Sequence, residues 1–395
     1  MYDVAVIGAG PAGSAAARKA AQLGLRVLLL EKEKIPRMKL CGGGVTPKVL
    51  KLLDFALPHE LIEAEVFSIR IHVGDECFKF QADHPLVYMT SRDEFDAFLS
   101  RKAVEAGAEI RDRTLVRSLV RRPSSMEIHT GGESFEAKMV IGCDGMGGTT
   151  ARASGLYAHW SPDEVSYAIE SEVPVGKDFV REFMGSEGYF DVHFGVSPAG
   201  YGWVFPKDDH LTAGVGCRLS KLTDGRGLFR SFVETIPELR GISVPDPQVH
   251  LIPLGGVVSV PTVAERVLLA GDSAGFAEPL LGEGIYFAIL GGQVAAEVTD
   301  EACRTQRFDQ KFLTRYSQEC DSAFGSDFRA AYRLAKSSYL ENYDMKRLAS
   351  FFFSDRKFQD CMIGLMDGST RYRDVPAKMA FPYLKYRLAK IGFPA

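Results

Sequence analysis

Residues 2–7 are almost wholly apolar, the next six are mostly glycine and alanine, 11–23 are alanine-rich, and a second apolar run ends at Glu31. This order predicts strand, tight turn, helix and strand. Chain handedness makes it a parallel βαβ unit with a right-handed crossover. Residues 91–107 predict an amphipathic helix with Phe95, Phe98 and Leu99 on one side, followed by two strands joined at Gly131-Gly132. Lys138-Met-Val-Ile-Gly-Cys-Asp-Gly145 then returns as a buried strand that runs into glycines.

From about residue 161 to 260 the pattern changes to alternating apolar and polar positions broken by glycine and proline, which predicts an antiparallel sheet; residues 66–89 look similar. From 309 onward the chain is rich in Arg, Lys, Phe and Tyr and reads as helices. The expected organisation is discontinuous. Segments 1–64, 91–157 and 262–308 build a nucleotide-binding domain, 65–90 and 158–261 a separate sheet domain, and 309–395 a helical region.

Length and composition add limits. At 395 residues the chain exceeds the roughly 250 residues at which single cores stop growing. A formal net charge of −4 with 25% charged residues offers no electrostatic footprint for nucleic acid, which is set aside as a partner. The seven cysteines, Cys41, Cys77, Cys143, Cys217, Cys303, Cys320 and Cys361, show no CxxC pair and no zinc or iron–sulfur spacing, so no metal is expected and a reducing cytoplasm suits them. The first strand starts at Tyr2, leaving no room for a signal peptide, and no apolar run reaches the roughly 18 residues of a membrane span.

The chemistry starts at Gly8-Ala9-Gly10-Pro11-Ala12-Gly13. Gly8 permits the tight turn, Gly10 lets backbone approach a pyrophosphate, and Gly13 lets helix and strand pack closely. The helix N-terminus, entered through Pro11 and Ala12, offers free N–H groups and the positive end of its dipole to phosphates. Glu31, followed by Lys32, stands at the end of the next strand, eighteen residues past Gly13, where it can accept from ribose hydroxyls. The motif by itself serves NAD and FAD equally.

Two later segments separate them. Arg266-Val-Leu-Leu-Ala-Gly-Asp272 delivers Gly271-Asp272 to a turn, and Pro279-Leu-Leu-Gly282-Glu283-Gly284-Ile285 opens another helix. The stretch Gly271-Asp-Ser-Ala-Gly-Phe-Ala-Glu-Pro-Leu-Leu-Gly-Glu-Gly-Ile285 resembles the flavoprotein class that includes p-hydroxybenzoate hydroxylase. The resemblance implies that Asp272 holds the ribityl chain of FAD and that the helix N-terminus at Gly282, Glu283, Gly284 and Ile285 faces the pyrimidine edge of the flavin. Negative charge on the reduced ring is stabilised by such a terminus. Arg92 matches the class arginine near the pyrophosphate, and Asp144 in Cys143-Asp144-Gly145 matches its second DG motif. Taken alone, Arg92 also fits a solvated charge at a helix end and Asp144-Gly145 a turn. The fold implied is an α/β, Rossmann-like FAD-binding domain with an interleaved antiparallel-sheet substrate domain and a C-terminal helical segment.

Leu40-Cys41-Gly42-Gly43-Gly44-Val45, together with Pro198-Ala-Gly-Tyr201-Gly-Trp203-Val-Phe205-Pro206 and the later Gly214-Val-Gly216, resembles the geranylgeranyl reductase family. The resemblance implies reduction of isolated carbon–carbon double bonds in geranylgeranyl chains, with the Tyr-x-Trp-x-Phe-Pro stretch lining the lipid cavity. Tyr201, Trp203 and Phe205 alternate, so they share one face; alone this is a core stripe, and with the resemblance it is a cavity wall. Cys41 is read both as a small residue in a glycine turn and as an accessible thiol near the flavin, where an alkene reduction needs a proton source.

The electron donor is NAD(P)H or a reduced ferredoxin-like protein, since there is no second GxGxxG unit. The tail 375–395 interleaves Lys378, Lys385, Arg387 and Lys390 with apolar residues, which suits both peripheral contact with the inner membrane face and packing on the core. Two other readings stay open on the same fold: an FAD-dependent monooxygenase or halogenase, and a flavin-bearing electron carrier at a membrane.

Overall fold

The computed structural model describes residues 1–156, 160–255, 260–336 and 353–379. The chain divides into two compact units, Met1–Lys39, Arg92–Glu164 and Ile252–Arg329 in one, Leu40–Ser91, Val165–Leu251 and the residues from Ala330 in the other.

In the first unit, strand Tyr2–Ile7 lies at the centre of a sheet ordered Val263–Ala264, Val267–Leu269, Ser134–Gly142, Tyr2–Ile7, Val27–Leu30, Glu109–Arg111. Its central pairs are parallel, as the apolar runs without alternation predict for strands covered on both faces. The predicted hairpin at Gly131-Gly132 joins Met126–His129 to Ser134–Gly142. The predicted helices are Pro11–Gln22 and Arg92–Glu105. Helix Pro11–Gln22 packs backbone to backbone with the long helix Ile285–Thr305: a Cβ on Gly292 would lie 2.2 Å from the Ala12 carbonyl oxygen.

The second unit is built on a seven-stranded sheet ordered Gln248–Pro253, Val165–Pro174, His210–Arg218, Tyr201–Pro206, Tyr189–Phe194, Ser68–Val73, Glu76–Gln81. From Val165–Pro174 to Glu76–Gln81 the neighbours are antiparallel, except that Tyr189–Phe194 and Ser68–Val73 run parallel. Two helices cover one face: Val180 and Phe183 of Lys177–Met184 and Phe229 and Phe232 of Gly225–Glu234 pack on Val204, Leu211, Ala213 and Val215. The other face carries Ile69, Ile71, Phe80 and Phe190, against which Phe194, Phe205 and Phe353 pack.

The structure differs from the sequence reading in four respects, the first being that residues 160–164 and 252–255, read as part of the sheet domain, lie with the nucleotide-side unit. Residues 40–64 lie with the sheet unit, because Gly44–Val45 and Ala64–Val66 both pair with Val87–Met89. The region 309–395 is not one helical body. Its first part belongs to the nucleotide-side unit, where the Tyr316 hydroxyl donates to the Leu269 carbonyl at 2.7 Å and Phe324 stacks edge-on against Phe276. From Ala330 it belongs to the sheet unit, where Phe353 packs against Phe78 and Phe80 and the Lys48 ammonium donates to the Leu365 carbonyl at 2.9 Å. Helices Lys177–Met184 and Gly225–Glu234 also interrupt the stretch read as sheet. The basic tail from residue 380 onward lies outside the described residues.

Candidate functional site

The glycine loop is sterically forced. Gly8 has φ +101°, and a Cβ on it would sit 2.3 Å from the Cys143 carbonyl oxygen; a Cβ on Gly13 would sit 1.8 Å from the Gly8 carbonyl oxygen. Gly10 is the N-cap of helix Pro11–Gln22 and no side chain caps its first turn, so that positive end is open to an anion. Gly284 likewise begins Ile285–Thr305 without a side-chain cap, after Gly282 at φ +72°. The loop before it is braced by buried Glu278, whose carboxylate accepts the Leu280 and Leu281 N–H groups and whose own N–H donates to the Glu283 carbonyl at 3.0 Å.

Glu31 is buried at its strand end. Its Oε2 accepts the Ala9 N–H at 2.9 Å and pairs with Arg37 at 3.1 Å, and its Oε1 accepts the Glu33 N–H at 3.2 Å. Arg37 continues to Asp96 at 3.1 Å, and Arg92 grips Asp96 with two bonds at 2.9 and 3.0 Å. Glu31, Arg37, Asp96 and Arg92 thus form one chain of alternating charge. Sequence reasoning found its two ends and missed its middle; Arg37 stands over the loop, 3.6 Å from where a Gly10 Cβ would be. Lys32 is exposed beside it.

Asp144 faces inward. Its carboxylate accepts the Thr150 N–H and hydroxyl at 2.9 and 3.0 Å and the Ser273 hydroxyl at 3.3 Å, tying the ends of two parallel strands; burial pushes its pKa up while these donors pull it down. Asp272 lies in the turn Gly271–Ala274 with Lys39 Nζ 3.8 Å from its carboxylate, and Gly271, at φ +63°, abuts Ala12.

Within the sheet unit the two halves of the second motif meet. A Cβ on Gly42 would lie 2.5 Å from the Phe205 ring, and one on Gly43 (φ +73°) would lie 2.1 Å from the Thr90 carbonyl oxygen and 2.2 Å from Lys207 Nζ. Buried Lys207, which follows Pro206, donates to that same carbonyl at 2.6 Å. Cys41 is half-buried, and its Sγ accepts the Gly43 N–H at 3.4 Å. Tyr201, Trp203 and Phe205 share one face, with ring centroids 6.0 and 6.3 Å apart. The glycines of the later G-x-G make room for the indole: a Cβ on Gly214 would be 2.3 Å from the Trp203 ring, and Gly216 lies beneath its far edge.

The same clearance reveals a group that sequence reasoning missed. Glu170 and Trp203 are both in register with Gly214 on neighbouring strands, so they project from the same face and the indole reaches across the glycine toward the carboxyl. Glu170 is 2% exposed. Burial and the adjacent Glu172 carboxylate push its pKa from 4.5 up to about 7, against Lys207, the indole and the Cys41 N–H, which hold it down.

The folded chain therefore binds this proton more tightly than the unfolded chain. The stabilisation is complete below pH 4.5 and is lost as pH rises through about 7, a shift worth on the order of 3 kcal/mol. Glu170→Gln is expected to flatten that slope. Denaturant midpoints compared between about pH 5 and 8 check it: the wild type should lose more stability across the window than the variant, in which the raised pKa of His210 still gives a residual slope.

On the opposite sheet face, His72, Asp191 and His193 bring three metal-capable groups within 4.8 Å of one another. Arg70 already donates to both oxygens of Asp191.

Residues 1–188 match the FAD binding domain family. Digeranylgeranylglycerophospholipid reductase 2 of Methanothermobacter thermautotrophicus is 31% identical over 344 residues, 85% of this chain and 87% of that protein. The chain belongs to the geranylgeranyl reductase family. It is accordingly an FAD-dependent oxidoreductase. The fold extends over nearly all of its length: the structure of a geranylgeranyl bacteriochlorophyll reductase-like protein from Thermoplasma acidophilum superposes with a TM-score of 0.83 at 25% identity, covering 96% of this chain and 99% of that one. A flavin-dependent brominase shares the fold at a TM-score of 0.74 and 19% identity, covering 99% and 98%.

Proposed function

We propose that this member of the family reduces isolated carbon–carbon double bonds in the geranylgeranyl chains of a membrane lipid or prenyl precursor. The observation that carries the reading is the contact of the Cys41-Gly-Gly-Gly44 loop with the aromatic strand, Gly42 against Phe205, because it joins two family motifs some 160 residues apart into one apolar surface. When bound, FAD supplies the hydride.

The chain's own residues do the rest. Gly8, Gly10, Pro11, Ala12 and Gly13 present the first helix terminus to the pyrophosphate, with Arg37 and Arg92 contributing positive charge. Glu31, with Lys32 beside it, takes the ribose. Gly271 and Asp272 hold the ribityl chain, and Gly282, Glu283, Gly284 and Ile285 set the second helix terminus at the ring. Asp144 supports these loops through Thr150 and Ser273. Cys41, Gly42 and Gly43 are assigned to the cofactor as well, and Tyr201, Trp203, Phe205 and Pro206 to a dry wall for the prenyl chain.

Replacing Asp272 by Ala is expected to weaken FAD retention at least tenfold, since a bond to a charged acceptor contributes about 1.5–3 kcal/mol. Flavin content after dilution and gel filtration measures it, and unchanged content removes this role.

Electrons enter from NAD(P)H bound without a domain of its own or from a ferredoxin-like protein, and anaerobic titration with each donor separates them. No helix among the described residues is long and apolar enough to cross a membrane. We assign lipid access to peripheral contact by the basic tail at the inner, cytoplasmic membrane face. Incubating the reduced enzyme with a digeranylgeranylglycerol phospholipid and with geranylgeranyl diphosphate tests the substrate class: saturated product from one names the headgroup, and none from both overturns the reading.

A further inference from the structure

Reduction of an unactivated alkene consumes a proton as well as a hydride, and the side chains of Trp203, Phe205 and Pro206 supply no acid. We propose that Glu170 is the proton donor of this reaction, delivering its carboxyl proton into the space lined by Trp203 and the Cys41 loop. This rests on the reductase reading above.

Four observations place the group. Glu170 projects from the same sheet face as Trp203, across a Gly214 that leaves no room for a side chain between them. It is buried, and neither its Oε1 nor the Trp203 Nε1 completes a hydrogen bond among the described residues, so an orphan acceptor and an orphan donor lie side by side on the proposed cavity wall. A buried carboxyl in that state is costly as an anion, which favours the form that carries the proton. The Cys41 N–H faces it as well. The thiol of Cys41 is turned to its own loop, toward the Gly43 N–H, so the acid beside these glycines is Glu170 rather than Cys41.

The surroundings suit both charge states. Strand Val165–Pro174 contributes Glu172, whose carboxylate is taken by Thr212 at 2.6 Å and His210 at 3.2 Å of the neighbouring strand, and whose charge opposes ionisation of Glu170. Beyond the aromatic strand, Lys207 favours the anion, as do the indole and the Cys41 N–H. The acid is therefore poised near neutrality, where general acids work best.

The step balances. One alkene carbon receives the hydride supplied by reduced flavin, and that pair forms its new C–H bond. The π pair forms the second C–H bond to the proton as the Glu170 O–H breaks. The carboxylate left behind is faced by the Trp203 and Cys41 N–H groups and by the charge of Lys207, and regains a proton from water.

The test uses flavin-loaded, full-length protein reduced under anaerobic conditions. The wild-type rate of prenyl reduction is expected to be level below pH about 7 and to fall about tenfold per unit above it. Glu170→Gln, an isostere, should keep its flavin spectrum, slow prenyl reduction about a hundredfold and lose the alkaline limb. An independent readout comes from Trp203 fluorescence in a Trp160→Phe background, Trp160 being the other of the two tryptophans. That emission should titrate near pH 7 and become flat when Glu170→Gln is added.

A flavin-loaded Glu170→Gln enzyme within threefold of the wild-type rate overturns the proposal, as does an unchanged alkaline limb in that variant or a wild-type rate with no limb at all. A wild type that reduces no prenyl lipid overturns the reductase reading and this proposal together. Normal wild-type turnover with an indifferent variant overturns only this one.

Discussion

Gly13→Ala should leave the purified protein without flavin. The added methyl would sit 1.8 Å from the Gly8 carbonyl oxygen, far inside contact distance, and 3.3 Å from the Cys143 side chain. Backbone cannot yield there as a flexible side chain would. Gly8 is itself closed in by the Cys143 carbonyl and tied through its N–H to the Leu30 carbonyl at 2.7 Å, and the other side of the first helix is locked against Gly292 of the long helix. The helix must move outward by about an ångström or more, and both uncapped N-termini lose their aim. Gly24→Ala is the control for a glycine of positive φ with open space around it. It should cost about 1 kcal/mol of stability or somewhat more and keep flavin. A flavin-replete Gly13→Ala protein would mean that this loop does not hold the cofactor.

Trp203→Ala should slow prenyl reduction by about two orders of magnitude while leaving flavin bound. The indole fills the space over Gly214 and Gly216 and stands between Tyr201 and Phe205 along the wall. Its removal opens a void in which a flexible chain can take many poses, and misplacement by about 1 Å costs about a hundredfold in a reaction that depends on alignment. Truncating a buried Trp also destabilises a fold by about 3–5 kcal/mol, so the rate must be read on protein whose flavin content and thermal transition have been checked. Activity near the wild-type value would remove Trp203 from the cavity, and flavin loss would make it a structural residue instead.

The parts legible in the sequence are those whose signal is local. The first βαβ unit shows in its apolar runs and glycines, because a parallel strand buried on both faces needs continuous apolar residues and the turn leaves no room for side chains. The shared face of Tyr201, Trp203 and Phe205 follows from strand periodicity. What was hidden depends on chain returning from far away. Residues 40–64 look like a continuation of the nucleotide-side unit until Val87–Met89 arrives to pair with them. Arg37 and Asp96 carry no pattern, since an alternating chain of charges is assembled from a loop and a helix.

Glu170 is the sharpest case. In Ala168-Ile-Glu170-Ser-Glu172 the alternation reads as a strand with acids toward solvent, yet the indole and the Cys41 loop cover that position. The helix Lys177–Met184 could have been found, because Val180 and Phe183 recur at helical spacing between two glycines of positive φ, Gly176 and Gly185.

The most direct test of the account is a single turnover. The purified flavoprotein is reduced anaerobically, mixed with a geranylgeranyl lipid, and followed by flavin absorbance and by mass spectrometry of the lipid. The account predicts flavin reoxidation in step with a lipid heavier by one H2 for each double bond reduced. A reduced flavin that ignores the lipid, but is consumed at once by oxygen with an aromatic substrate, would contradict it and favour the monooxygenase or halogenase reading of the same fold.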